Sequence, residues 1–255
     1  MSAAVEQDVE VTAHDLELDN SWGVKKIGED IARAAGRATP GVKVAVIDTG
    51  IDYTHPDLAA NYKGGWDFVN NDALPMDDNT GRTAPGQSPH WRTAQASSAW
   101  RPIASCMPSK CSTRAAAGHS ARSLPVCNGA SKNGIQVTSN SYGTTTDPGS
   151  TVQQAYDNAA ALGLVMVASA GNGDARHGHR GLPARYSSVI AVAATDANDA
   201  WASWSSTGPA VELAAPGVSI YSTMPGGGYG SKSGTSMACP HVAGAAAVLI
   251  GALRA

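Results

Sequence analysis

Charge is scarce in this chain. Asp, Glu, Lys and Arg make up 15% of its 255 residues, and 18 basic against 21 acidic residues leave a formal net charge of −3. Such a balance offers no basic face for nucleic acid. No run of 18 apolar residues occurs, so no segment reads as a membrane span. The opening MSAAVEQDVEV lacks the basic and apolar blocks of a signal peptide. Cysteine is rare, four residues in all, which excludes a small disulfide-stapled scaffold. What is plentiful is apolar and small: 42% hydrophobic residues and 28 Gly. That is too apolar for a disordered chain and too glycine-rich for a helical bundle. The length suits one large α/β domain or two small ones, and a single soluble α/β domain is the expectation.

A second scarcity is local. No acidic residue occurs between Asp78 and Asp147, and from Thr80 to Ala130 the only branched aliphatics are Ile103, Leu124 and Val126. The same stretch holds Cys106, Cys111 and Cys127 and has neither strand nor helix periodicity. Fifty structureless residues do not suit the inside of a compact domain.

Outside that window the pattern is regular. Gly41 to Ile47 is a buried strand meeting a turn at Asp48-Thr-Gly50, and Ile135 to Val137 is a second strand. Val152 to Leu162 has helical spacing and stops at Gly163. Leu164 to Ala168 and Val189 to Ala193 are further strands, and Ser236 to Leu253 is an apolar, buried helix. Strand, helix, strand at this spacing implies parallel pairing with right-handed crossovers. Asp48 and Asn172 then stand just past strand carboxyl ends, where open parallel sheets gather their chemistry.

Each of these residues has a plain structural alternative. Ser236 could be an N-cap, Asp48 a turn former and Asn172 a left-handed turn residue. Cys239 and His241 suit a helix core, and His177 and His179 suit a solvated loop. The surrounding motifs weigh against the plain readings for Asp48, Asn172 and Ser236. Gly234-Thr-Ser-Met-Ala-Cys-Pro-His-Val-Ala-Gly244 resembles the serine motif of the subtilisin-like serine proteases. Val44-Ala-Val-Ile-Asp-Thr-Gly-Ile-Asp52 with His55-Pro-Asp-Leu58 resembles their aspartate motif, and Ala168-Ser-Ala-Gly-Asn172 their oxyanion strand.

The resemblance implies a three-layer α/β fold around a mainly parallel sheet. It implies cleavage of peptide bonds through an acyl-enzyme, with Ser236 as nucleophile, Asp48 as the carboxylate orienting a histidine, and Asn172 as oxyanion donor. By the same resemblance Ser141, Tyr142 and Gly143 pair with extended substrate backbone. Ala168, Ser169, Ala170 and Gly171 wall the specificity pocket. No cofactor is expected for catalysis; a structural calcium is, with Asp57 at a recurrent ligand position. Expected partners are protein or peptide substrates and the chain's own propeptide, with no nucleic acid and no membrane. The chain is expected to be a monomer, secreted by family although it shows no signal peptide. Residues 1–15 resemble a propeptide remnant and linker, and residues 16–255 a catalytic domain truncated at its C-terminus, with 80–130 aberrant.

The family's histidine motif, His-Gly-Thr-His-x-Ala-Gly, is missing after Asp77-Asp-Asn79, and His90 lacks the flanking small residues. Degenerate codons for Asn79 onward, read one base earlier, permit His-Gly-Thr-His-Cys-Ala-Gly-Thr-Val-Ala-Ala-Leu. Ala96 to Pro102 permits Val-Val-Gly-Val-Ala-Pro, and Cys106 to Cys111 permits Tyr-Ala-Val-Lys-Val-Leu. Three family-like stretches in order point to a shifted reading frame that returns near Ser131. The chain as written should then fold poorly and be nearly inert for want of a base. The alternatives are a non-catalytic pseudo-protease that binds extended peptides, and an esterase or amidase drawing on His90 or His119.

Overall fold

The computed structural model describes residues 20–28, 42–48, 50–59, 62–67, 71–76, 109–110, 130, 132–173 and 181–254. The propeptide-like segment, His90, His119, His177, His179, the other three cysteines and nearly all of the 80–130 window lie outside them. Among the described residues the elements run α1 (Trp22–Lys26), β1 (Val44–Asp48), α2 (Pro56–Ala59), β2 (Ser109–Lys110), β3 (Val137–Asn140), α3 (Ser150–Ala161) and β4 (Val165–Ser169). They continue with β5 (Ile190–Thr195), β6 (Leu213–Pro216), β7 (Ile220–Met224), β8 (Gly228–Lys232) and α4 (Thr235–Ala252).

Six strands form one sheet in the order β2-β1-β3-β4-β5-β6, and every pairing in it is parallel. The near-continuous apolar runs of β1, β4 and β5 suit this arrangement, because a parallel sheet is covered on both faces. Alternate residues divide between two cores. Ala45, Ile47, Met166, Ala168 and Ala191 pack with Val152, Tyr156 and Ala159 of α3. Val44, Val137, Val167 and Val192 pack with Ala238, Cys239, Ala243 and Ala247 of α4. The result is helix, sheet, helix. Val137, Val167 and Val192 have no exposed surface, and each such side chain contributes about 1.5–3 kcal/mol over an exposed one. By length and composition α4 could cross a membrane, yet it lies against β3, β4, β5 and β6. It is the core helix that its apolar sequence predicts.

Three departures from the sequence reading have clear causes. The second strand lies two residues further on, at Val137–Asn140, because its polar end residues pair with β1 and β4 and are buried. The 80–130 window has a strand after all: Ser109–Lys110 pairs with Ile47 and Asp48. The open edge of β1 supplies backbone donors and acceptors, and such pairing requires no particular side-chain pattern. The antiparallel hairpin β7–β8 turns at Pro225-Gly-Gly227, with Gly226 and Gly227 at positive φ. Its strands are short and polar, so alternation is weak there.

Candidate active site

Strand alternation places three polar side chains at one edge of the sheet. Ser139 and Ser141 share the parity of Val137, and Asp48 that of Val44, so all three belong to the α4 face. Ile47 pairs with Asn140, and Asn140 with Ala168. Asp48, Ser141 and Ser169, each one residue later, therefore stand side by side where three adjacent strands end. Asp48 is 7% exposed. Its charge reaches α4: the Cys239 thiol is pushed up to about 11, first by complete burial and in smaller part by Asp48.

The start of α4 meets this edge. Gly234 N–H donates to Gly217 O at 2.8 Å. Gly217 has to be glycine here, since a Cβ would stand 2.5 Å from Ala194 Cβ and 2.9 Å from Gly234 O. Thr235 and Ser236 open the helix. Ser236 Oγ donates to Ser141 O at 3.3 Å, and Ser141 Oγ donates to Ser236 O at 3.1 Å.

Asn172 is held by the same turn. Its Oδ1 accepts from Thr235 N and from Thr235 Oγ1, both at 2.9 Å, and Thr235 Oγ1 accepts from Gly171 N at 3.0 Å. With Oδ1 occupied twice, Nδ2 is the end that faces Gly234. A Cβ at Gly234 would lie 3.2 Å from Met237 Sδ, 3.4 Å from Asn172 Nδ2 and 3.7 Å from Ser236 N. The missing side chain leaves a notch bordered by the Met237 sulfur and these two nitrogens at a helix N-terminus, whose dipole favours negative charge.

The remaining predicted positions separate into surface and interior. Ser141–Gly143 and Ser169–Gly171 leave neighbouring strands, β3 and β4, next to Ser236. Gly143 is exposed, while the Tyr142 hydroxyl bonds that of Tyr156 at 2.7 Å. Ala168 and Ala170 are fully buried and only Gly171 of that wall reaches the surface.

Neither described histidine bonds to Ser236. His55, 1% exposed, accepts from Asp57 N at its Nδ1 and donates from Nε2 to Gly228 O, each at 3.2 Å. His241 donates from Nδ1 to Met237 O at 2.8 Å. Its Nε2 is buried without a partner among the described residues and faces Gly23 of α1. Burial lowers its pKa to about 4. It is a core histidine, satisfied on one nitrogen only.

Asp57 accepts from the Tyr229 hydroxyl, and no group of three or more His, Cys, Asp or Glu among the described residues could hold a metal. Asp52 has a different task. Burial raises its pKa, but bonds from Thr54 Oγ1 (2.6 Å), Gly226 N (2.9 Å) and Thr54 N (3.1 Å) outweigh that and lower it. The sequence reading missed Asp52 as the anchor of the hairpin, and Thr235 as the clamp on Asn172. A hydroxyl directly before the serine was the available signal for the second.

A parallel sheet with a serine-bearing helix across its carboxyl edge, an asparagine clamped beside it and an aspartate on the next strand defines a serine-hydrolase type of site. The chain belongs to the subtilase family, whose model matches residues 39–254. It is 37% identical over 246 residues to an alkaline protease of Shouchella clausii, covering 96% of this chain and 63% of that protein. It is 38% identical to Subtilisin Savinase of Lederbergia lenta, covering 89% and 83%. It is 42% identical to thermitase of Thermoactinomyces vulgaris, covering 86% and 77%. The chain thus spans under two thirds of the length of the alkaline protease.

Proposed function

We propose that this chain carries working parts of a subtilisin-like serine endopeptidase: Ser236 as nucleophile, Asp48 as the carboxylate that orients an imidazole, and Asn172 Nδ2 with Ser236 N–H as oxyanion donors. The observation that supports the reading is the start of α4, where Thr235 clamps Asn172 directly before Ser236. Ser236 Oγ attacks the scissile carbonyl carbon, and the carbonyl oxygen takes the electron pair into the notch. Collapse expels the amine and leaves an acyl-serine for water to hydrolyse. One proton must leave Ser236 Oγ to a general base and be handed on to the amine by that base's protonated form. No described histidine bonds to Ser236, and the family's histidine motif is missing from the sequence; on this reading the chain as written turns over little or nothing.

We further propose that residues 80–130 are a shifted reading frame. The position of β2 supports this, because it falls within Cys106–Cys111, where the other frame spells an aliphatic strand. Substrates would be proteins or peptides lying along Ser141–Gly143; the relatives support an extracellular location, and a monomer released from its own propeptide completes the reading. A structural calcium, with Asp57 among its ligands, belongs to the same reading.

The test compares the chain as written with a frame-restored chain, using a fluorophosphonate probe and peptide hydrolysis. The restored chain should label quickly at Ser236 and lose labelling in Ser236→Ala, while the chain as written should not label. Fast labelling of the chain as written would overturn its inactivity. Absence of labelling in a folded, restored chain would overturn the nucleophile. Peptide binding without turnover there would favour the pseudo-protease.

A further inference from the structure

The helix that presents Ser236 has a proline four residues later, Pro240. In an unbroken helix the Ser236 carbonyl accepts from the N–H of residue 240. Proline has no N–H, and its ring pushes the carbonyl four residues back off the helix axis. The first turn of α4 therefore begins with an orphaned acceptor, and Thr235, Met237 and Pro240 around it are buried. An unpaired backbone carbonyl in such a place is costly.

Ser141 stands where the partner is needed. Its hydroxyl donates to Ser236 O at 3.1 Å, while the Ser236 hydroxyl donates back to Ser141 O at 3.3 Å. Two residues on different elements thus exchange hydroxyl-to-carbonyl bonds. Ser141 is itself 9% exposed, so its hydroxyl is committed inward.

We infer that Ser141 is a positioning residue whose hydroxyl replaces the helix hydrogen bond that Pro240 cannot make. By doing so it holds Ser236 and its N–H against the notch beside Asn172. The consequence for catalysis rests on the reading of Ser236 given above. The pairing itself does not, and it is tested without turnover.

The experiment is native-state amide exchange on the full chain and its Ser141→Ala, Pro240→Ala and double variants. Ser141→Ala should speed exchange of the Thr235 and Met237 amides about tenfold, the scale expected for one lost hydrogen bond. Pro240→Ala restores an N–H to the helix. The double variant should therefore return to within about twofold of Pro240→Ala, with the new amide at position 240 protected. Ser141→Thr, which keeps the hydroxyl, should exchange like the parent. A packing role for Ser141 would not respond to an N–H at position 240. A double variant as fast as Ser141→Ala, or a parent chain whose first turn is unprotected, overturns the inference. If Ser141→Ala does not fold, recovery of folding in the double variant supports it and failure overturns it. Restored exchange without Ser236 labelling in the frame-restored chain would instead count against the nucleophile.

Discussion

Thr235 contributes through orientation. Its hydroxyl and its N–H both bind Asn172 Oδ1, which settles which end of the amide faces the notch. Thr235→Val keeps the shape but removes one donor to Oδ1 and the acceptor for Gly171 N–H. Leaving that N–H unpaired should cost about 1–2 kcal/mol, read as a lower urea midpoint. Asn172→Asp keeps both bonds from Thr235 and removes the Nδ2 donor. In a subtilisin, loss of the equivalent donor costs about 10²–10³ in kcat, a value borrowed from that relative. The frame-restored chain should lose fluorophosphonate reactivity on that scale while keeping its melting temperature. His241 carries a pH prediction. Its folded pKa, about 4, lies below the ordinary 6.5, so the unfolded chain takes up the proton first. Stability is complete above about pH 6.5 and falls by about 3 kcal/mol as pH drops towards 4. His241→Leu should flatten that window in urea titrations at stepped pH.

Elements are joined at two places that decide where the helix begins. The β7–β8 hairpin runs straight into Gly234 and is tied back to the loop after β1. The ties are Gly226 N to Asp52, His55 to Gly228 O, and Tyr229 to Asp57. Asp48 and Ser236 thus lie at the ends of two segments that grip each other. Asp52→Ala should cost about 2 kcal/mol, measured by denaturant unfolding, because three donors lose their acceptor. The Asp52 contribution has the same sign as that of His241 but a more acidic window, present above its unfolded value of 3.8 and lost as pH falls through the lower folded one. The second join is the close pass of Gly217 and Gly234. Gly217→Ala forces a Cβ onto Ala194 and Gly234 O, and should cost about 1–3 kcal/mol by overpacking, seen as a drop in melting temperature.

At the scale of the whole molecule, the sheet's order sets what the proposed frame shift would remove. β2 is the outer neighbour of β1, on the edge that ends at Asp48. Ser109–Lys110 pairs there with Ile47 and Asp48 through the backbone. Restoring the frame should raise the melting temperature as well as activity, and sequencing of the coding DNA should find compensating insertions and deletions around codons 79 and 131. A single intact frame would remove the basis for that expectation.

The chain's letters were enough for the strands at Val44–Asp48, Val165–Ser169 and Ile190–Thr195 and for the two covering helices, and they are what singled out Asp48, Asn172 and Ser236. Apolar periodicity and a long contiguous motif are local properties, and they survive without coordinates. They could not show that Thr235 clamps Asn172, that Asp52 holds a hairpin some 170 residues away, or that Ser141 answers for Pro240. Those facts depend on which polar atom meets which across the packed core. Only the paired register of β1, β3 and β4, with α4 laid over their ends, decides that.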